Sequence, residues 1–566
     1  MLKALIRQLR GQGRPPAAVA PDPELLPDDA DHDPRLAPLR QLVLAPATDL
    51  DALLEGYAYA MELGQDALAL GLLQRAAEAK PEDFALQTNL SALKKTAGDL
   101  DGALRCSIAA VKLAPGRAEP CYNLGLLRHE LGEHAEAEKL FREAIALAPA
   151  FEPAQHSLIC LLDQMQGVEP EAMLAQRRVW AARYATVGSG VTHRNSRDPQ
   201  RILKIGYVSA DFRGHSSAYF LEPLFAHHDA ARVAVHCYYN WPREDAVTQR
   251  LKRLVPAWRD IHALDDERAA ELIAADGIDL LIDLSGHTVG HRLGVFARRP
   301  APVQAIYMGY LGSTGLPAIR YRISDTRLDP PGLTEGMQSE TIVSLPVCAF
   351  CFAPERGAPS PGPLPALRSG ALTFGSLNAR TKLNDAVLDL WASLLREIPG
   401  SRLIMVVEYG GHATVAQALR DRFARAGVEP QRIDVRGRQP LAEYFSTFQE
   451  IDVALDPFPY NGGTTTFHSL WMGVPVISLA GRWPLARCGL MILENAGIPE
   501  FVARTQAEYL DIARRCASDL PRLAALRGEL RARFEAAPFA DAAGIARSLE
   551  AAYRSIWRDW CGQGPA

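Results

Sequence analysis

Cysteine is scarce: nine residues in 566, too few and too dispersed for a fold stapled by disulfides. A dominant charge is missing as well. Lys and Arg total 61 against 66 Asp and Glu, a formal net charge of −5, which excludes a protein that holds nucleic acid through bulk positive charge and leaves only a local basic patch open. No apolar run approaches the roughly 18–20 residues that a membrane helix needs. Residues 1–10 read as a basic helix, but Arg7 and Arg10 interrupt its apolar side and no small-residue cleavage site follows, so no secretory leader is expected. What remains is the balance of an ordinary globular protein, 48% apolar and 22% charged, long enough for about three or four domains. The expectation is a cytoplasmic, multidomain enzyme with neither nucleic acid nor membrane as partner.

A repeat is present. Pro81, Pro115 and Pro149 fall 34 residues apart, and so do Gly64, Gly98 and Gly132, Ala69, Ala103 and Ala137, and Ala76, Ala110 and Ala144. A period of 34 with Gly between two helices, Ala at tight crossings and Pro at the inter-repeat turn is the tetratricopeptide signature. The reading is a basic helix and acidic flexible tether over 1–47, a tetratricopeptide solenoid over 48–165, and a helical connector and loop over 166–200. Beyond it, short β-branched runs alternate with helical text in two blocks, 201–353 and 371–566, joined by a Pro-rich linker over 354–370. Such alternation predicts two parallel, Rossmann-like α/β domains facing each other across a cleft, with closing helices at the end of the second.

The most informative stretch runs from Asp456 through Pro-Phe-Pro-Tyr-Asn to Gly462-Gly463-Thr464-Thr465-Thr466, then into helical text containing His468. A strand ends, two glycines turn the chain, and hydroxyl residues open a helix. That places unpaired N–H groups and the positive end of a helix dipole at the carboxyl edge of a parallel sheet. Gly462 and Gly463 let an anion come close, and Thr464 and Thr465 can donate to it or simply cap the helix. No Walker pattern is present, so the anion it suits is a nucleotide-sugar diphosphate rather than a transferable γ-phosphate.

Three blocks, LKIGYVSADFRGHSSAYFLEPLF, IDLLIDLSGHTVGHRLGVFARRPAPVQAIYMGYLGSTG and DVALDPFPYNGGTTTFHSLWMGVPVISLAG, stand in this order behind the repeats. With them the chain resembles the O-GlcNAc transferase family, glycosyltransferase family 41, including its plant SPINDLY-like branch and bacterial homologues. The resemblance implies a GT-B fold and an inverting, metal-independent transfer of GlcNAc from UDP-GlcNAc to Ser or Thr hydroxyls, with no other cofactor. It implies a protein or peptide acceptor held in the groove of the repeats. Residue by residue, it makes Lys382 the lysine that holds the departing diphosphate and Thr464 and Thr465 the phosphate-binding hydroxyls. His215 becomes an active-site histidine proposed as base, His287 and Thr288 contacts to sugar and diphosphate, and Tyr444 a ring over the base. Gly309, Gly312 and Gly315 would permit close backbone approach around the cleft, which the loop 480–486, followed by Arg487 and Gly489, should also face.

Several positions depart from the family. His468 stands where a carboxylate usually accepts from the ribose, Leu441 where animal enzymes have lysine, Leu311 where Pro is commoner and Ala486 where Ser is common. Two alternatives therefore stay open: protein O-fucosylation from GDP-fucose, and a non-catalytic tetratricopeptide scaffold that binds nucleotide. Two further signals carry little. The single C-x-x-C of Cys348 and Cys351 reads as two buried thiols, and His287 and His291 lack the glutamate of a zincin.

Overall fold

A computed structural model describes residues 36–44, 49–184, 187–188 and 190–563; the basic helix over 1–10 and the acidic tether lie outside them. The chain divides into two compact units, one ending at Ser157 and the other running from Leu158.

The first unit is all helix. Leu50–Glu62 pairs with Asp66–Ala79, Phe84–Thr96 with Leu100–Leu113, and Ala118–Glu130 with His134–Leu147. The period has a physical origin at each turn. Gly64, Gly98 and Gly132 sit at φ of +69°, +83° and +74°, the left-handed backbone that ends a helix at little cost only for glycine. Asp83 and Asp99 cap the helices that follow them, accepting from the N–H groups of Ala85 and Gly102 at 3.0 and 2.8 Å. The six periodic alanines are all at most 1% exposed, since any larger side chain would hold the helices apart. One difference from expectation concerns the first boundary: Ala37–Leu44 is a helix whose Leu39 and Leu42 are buried with Leu53 and Leu72, so the repeats recruit residues assigned to the tether.

The second unit holds two wholly parallel sheets. The first contains β1 (Leu203–Ser209), β2 (Val233–Tyr239), β3 (Ala257–Asp260), β4 (Leu280–Asp283), β5 (Val303–Tyr307), β6 (Tyr321–Asp325) and β7 (Thr341–Leu345), in the order 3-2-1-4-5-6-7. The second contains β8 (Thr373–Ser376), β9 (Arg402–Val406), β10 (Ile433–Arg436), β11 (Val453–Leu455), β12 (Val476–Leu479) and β13 (Val502–Ala503), in the order 10-9-8-11-12-13. Each order reverses at one point, between β1 and β4 and between β8 and β11, and ligands of such sheets lie beyond the carboxyl ends of the strands at that switch.

Three expected boundaries move. Residues 158–184 pack with the first sheet rather than linking to it: Ile159, Trp180 and Ala181 share a core with Val208, Tyr238 and Leu281. The Pro-rich stretch is fixed to the second domain by bonds from Gly362 N–H to Gln449 at 2.6 Å and from Ala366 N–H to Asp452 at 2.8 Å. The final helix, Ala542–Gly562, returns to the first sheet's domain: the Tyr553 hydroxyl bonds that of Tyr207 at 2.8 Å, and Glu550 meets His228 at 3.1 Å. No helix among the described residues is long and apolar enough to cross a membrane.

Candidate active site

Both switch points carry the residues singled out from the sequence. After β8 the chain makes a short turn, Arg380–Lys382, tied down by Arg380 N–H donating to Glu408 at 2.8 Å. Lys382 reaches from it to donate through Nζ to the Asn461 carbonyl at 2.8 Å, with its ammonium 4.3 Å from the centre of the Tyr460 ring. Burial lowers its pKa, while Asp456 acts in the opposite direction. A lysine so placed binds an arriving anion strongly, because its charge is poorly solvated beforehand.

Asn461 opens the loop into the helix Thr464–Trp471, which Gly463 precedes without a side-chain cap. The N–H groups of Thr464 and Thr465 find no acceptor among the described residues, which leaves them for a ligand. Thr465 Oγ1 bonds Asn378 Oδ1 at 2.9 Å. A Cβ on Gly462 would lie 2.6 Å from Thr465 Oγ1 and 2.9 Å from Asn378 Oδ1, so only glycine allows this turn.

The loop hangs from a residue that motif reading did not mark. Asp456, at the end of β11, accepts from Gly462 N–H at 2.6 Å and from Ser478 Oγ at 2.5 Å. Burial pushes its pKa up to about 7 against these bonds and Lys382. Asp283, at the end of β4, does the same for the other sheet: it accepts from the N–H groups of Ser285 and Gly286 at 3.1 and 2.7 Å and is likewise raised to about 7 by burial. The available signal was a shared pattern, an Asp closing a strand and followed within six residues by a glycine.

In the first domain, His215 follows β1 on the loop 211–217. Ser217 N–H points at its Nδ1 from 3.3 Å, the Ser217 hydroxyl lies 3.0 Å from the same atom, and Asp211 is 3.7 Å away. The Ser217 N–H can only donate, so this contact favours the neutral tautomer with its proton on Nε2, whereas the Asp211 carboxylate favours a proton on Nδ1. Burial lowers the pKa of His215, opposed by Asp211.

His468 and Tyr444 meet: Tyr444 Oη lies 3.1 Å from His468 Nδ1. The imidazole is 4% exposed, edge-on to Tyr219 of the first domain at 5.0 Å, and its Nε2 is buried with no partner among the described residues. Burial depresses its pKa to about 3. An orphaned polar atom at this depth fits a ligand contact.

The structure departs from the expected roles elsewhere. The His287 ring is 1% exposed, bonds the Thr314 carbonyl at 2.8 Å and packs against Trp180, so it faces the interior rather than a sugar. Thr288 Oγ1 turns back to the Ser285 carbonyl at 2.7 Å. Tyr444 is wedged edge-on against Phe445 and Phe448, in place of a ring lying open for stacking. Gly309, Gly312 and Gly315 serve packing: a Cβ on them would strike the Leu284 carbonyl, the Tyr310 ring and Arg177. Arg487 is spent on the carbonyls of Arg327 and Gly481 at 2.8 and 3.2 Å. Gly489 N–H points at Asn461 Oδ1 from 3.4 Å, and Leu441 is half exposed. Cys348 and Cys351 are buried thiols. No cluster of three His, Cys, Asp or Glu side chains suited to a metal occurs among the described residues.

A model described as glycosyl transferase family 41 matches residues 188–352 and 364–548, and a tetratricopeptide model matches 118–151. A Petunia hybrida protein named as a probable UDP-N-acetylglucosamine–peptide N-acetylglucosaminyltransferase, SPINDLY, is 40% identical over 375 residues, 65% of this chain and 40% of its own length. An Arabidopsis thaliana protein of the same name is 35% identical over 416 residues, 72% of this chain and 45% of its own. The chain thus spans less than half the length of these curated relatives. A solved structure of a mutant Thermobaculum terrenum O-GlcNAc transferase superposes with a TM-score of 0.84 at 35% identity, over 90% of this chain and 98% of that one. Two switch-point loops on a GT-B frame, behind tetratricopeptide repeats, and a family model matched over more than half of the sequence place this chain in glycosyl transferase family 41.

Proposed function

We propose that this protein transfers N-acetylglucosamine from UDP-GlcNAc to Ser or Thr hydroxyls of polypeptides, with inversion at the anomeric carbon and without a metal. One observation carries the reading: the Lys382 ammonium lies on the Asn461 carbonyl at the mouth of a helix whose Thr464 and Thr465 N–H groups are unspent. Together they form a fixed positive site for the diphosphate. Its charge grows as the bond from the anomeric carbon to the diphosphate oxygen breaks, so these groups stabilise the transition state more than the ground state. The acceptor oxygen attacks from the opposite face, the bond pair leaves with UDP, and the hydroxyl proton passes to solvent water.

His215 enters as a donor. With Nδ1 occupied by Ser217 N–H, its Nε2–H can hold a substrate oxygen but has no lone pair for the acceptor proton. His468 Nε2 and the Tyr444 hydroxyl, buried at the domain boundary, are the polar groups offered to the nucleoside. The tetratricopeptide unit supplies a surface for an extended acceptor peptide.

Calorimetry with UDP and GDP on the full chain, beside Lys382→Ala and Thr465→Ala, tests the reading. UDP binding weakened by both changes is the expected result. A preference for GDP would favour fucose transfer instead, and no binding of either would favour a scaffold without turnover.

A further inference from the structure

The first sheet has a second concavity, at the edge opposite the candidate active site. His215 and Thr288 follow strands, whereas Lys204 opens β1, Gly277 precedes β4 and Pro300 precedes β5; these last three line a cavity of about 710 Å³. That volume is ample for a small molecule. Its lining is rich in charge. Arg194, on the loop ahead of β1, Arg298 and Arg299, ahead of β5, and Arg201 and Lys204 all line it. So do Glu267 and Glu271, one turn apart on the helix Asp266–Asp276. Five cations thus meet two carboxylates in a chain whose overall charge is −5.

Three of the cations have structural work. Arg201 donates to Asp279 at 3.2 Å, Lys204 Nζ to the Asp276 carbonyl at 2.8 Å, and Arg298 to the Gly294 carbonyl at 2.8 Å. The guanidiniums of Arg194 and Arg299 donate to no group among the described residues. Arg299 also holds a left-handed backbone, φ +52°, a strained conformation for a residue with a side chain. His193 lines the same cavity, and burial together with Arg299 lowers its pKa.

We propose that this cavity binds a phosphorylated, hydroxyl-bearing small molecule of the sugar-phosphate class. Arg194 and Arg299 take the phosphate, whose oxygens suit the guanidinium fork. Glu267 and Glu271 accept from the hydroxyls, for which two acceptor-only carboxylates are suited. The site needs nothing from Lys382 or the Gly-Thr loop, so it stands or falls apart from the transferase reading.

The test is calorimetry on the full chain with glucose 6-phosphate, glucose and inorganic phosphate as probes. Arg194 and Arg299 are exposed, so Arg194→Ala and Arg299→Gly, the latter suited to the left-handed backbone, leave the fold intact. Glucose 6-phosphate is expected to bind one per chain, weakened about tenfold by either arginine change, as loss of one charge-assisted bond implies. Glu267→Gln with Glu271→Gln should weaken glucose 6-phosphate and leave phosphate unchanged, and Lys382→Ala should alter neither. No binding to the unaltered chain overturns the proposal, as does unchanged affinity in both arginine variants. Phosphate binding as tightly as glucose 6-phosphate overturns the carboxylate assignment. Loss of binding in Lys382→Ala would place the ligand in the other cleft and overturn the site.

Discussion

Lys382 Nζ donates to the main-chain carbonyl of Asn461 at 2.8 Å, so the ammonium of one switch-point loop is held by the backbone of the other. Because the partner is a carbonyl rather than a carboxylate, the contact does not neutralise the ammonium and leaves two further N–H groups for an anion. Lys382→Met should leave the fold stable, since it removes a poorly solvated charge, and should lower kcat by roughly 10²–10³, the usual cost of one preorganised electrostatic contact. Turnover with a labelled donor, beside thermal unfolding, separates the two effects.

The proposed donor role of His215 differs from that of a base in which ring nitrogen carries the proton. If Nε2–H donates, protonating the ring leaves that donor in place, and the acid limb of the kcat profile is not set by His215. His215→Gln then retains partial turnover through its amide N–H and the same acid limb. A base at Nε2 would instead require free imidazole, and the acid limb would vanish in the variant. The profile of kcat against pH for both proteins decides it.

Asp456 and Asp283 share a pH signature. Each is lifted by burial from 3.8 to about 7. Between those values the folded chain holds a proton that the unfolded chain has released. Stability therefore falls as pH rises through the window, by about 1.4 kcal/mol per pH unit for each carboxyl. Asp456→Asn keeps an acceptor for Gly462 N–H and should remove one carboxyl's share of the slope. Urea midpoints at pH 4.5 and 6.5 measure it, and an unaltered slope would refute the assignment.

The architecture was legible because it is written in periods: 34 residues in the helices, and β-branched runs between helical stretches in the sheets. Strands such as Ala257–Asp260 and Val502–Ala503 escaped notice because they are short and lie at sheet edges, where burial no longer demands an apolar run. The Gly-Thr turn into a helix was legible because a local motif builds the local geometry, whereas Lys382 was placed by the family resemblance. The misread residues owe their positions to distant partners. His287 turns inward to Thr314 and Trp180, Tyr444 is fixed by Phe448 and His468, and Ala542–Gly562 is drawn back by Tyr207 and His228. No spacing within one segment encodes such contacts.

His468 combines two costs in the absence of ligand: an unpaired Nε2 and a pKa depressed to about 3. Below pH 6.5 the unfolded chain takes a proton that the folded chain refuses, so stability falls as pH drops toward 3. Between pH 6.5 and 4.5 the loss is about 2–3 kcal/mol. His468→Phe removes both costs amid Tyr219, Phe352 and Phe445. The variant should unfold at higher urea at pH 4.5 than the unaltered chain while binding UDP more weakly. Raised stability with unchanged UDP affinity would make His468 a packing residue alone.

Arg177 and Asp163 form an ion pair 2% and 0% exposed, which the Tyr310 hydroxyl joins by bonding both partners. The pair ties the helix Pro170–Ala181 to the end of the helix Glu152–Leu162, and Tyr310 ties both to the loop after β5, beside Cys160, whose thiol meets the His287 carbonyl at 3.4 Å. The network thus stands behind the loop that carries Thr288. Arg177→Met strands a buried carboxylate and should cost roughly 3–5 kcal/mol, whereas Arg177→Met with Asp163→Leu removes both charges and should recover most of it. A double variant as unstable as the single would mean that the helix is held by packing around Trp180 rather than by the pair. If the double variant recovers stability but loses turnover with UDP affinity kept, the network's contribution is to the position of the first domain's loops. The measurements are urea unfolding, calorimetry and kcat on the same three proteins.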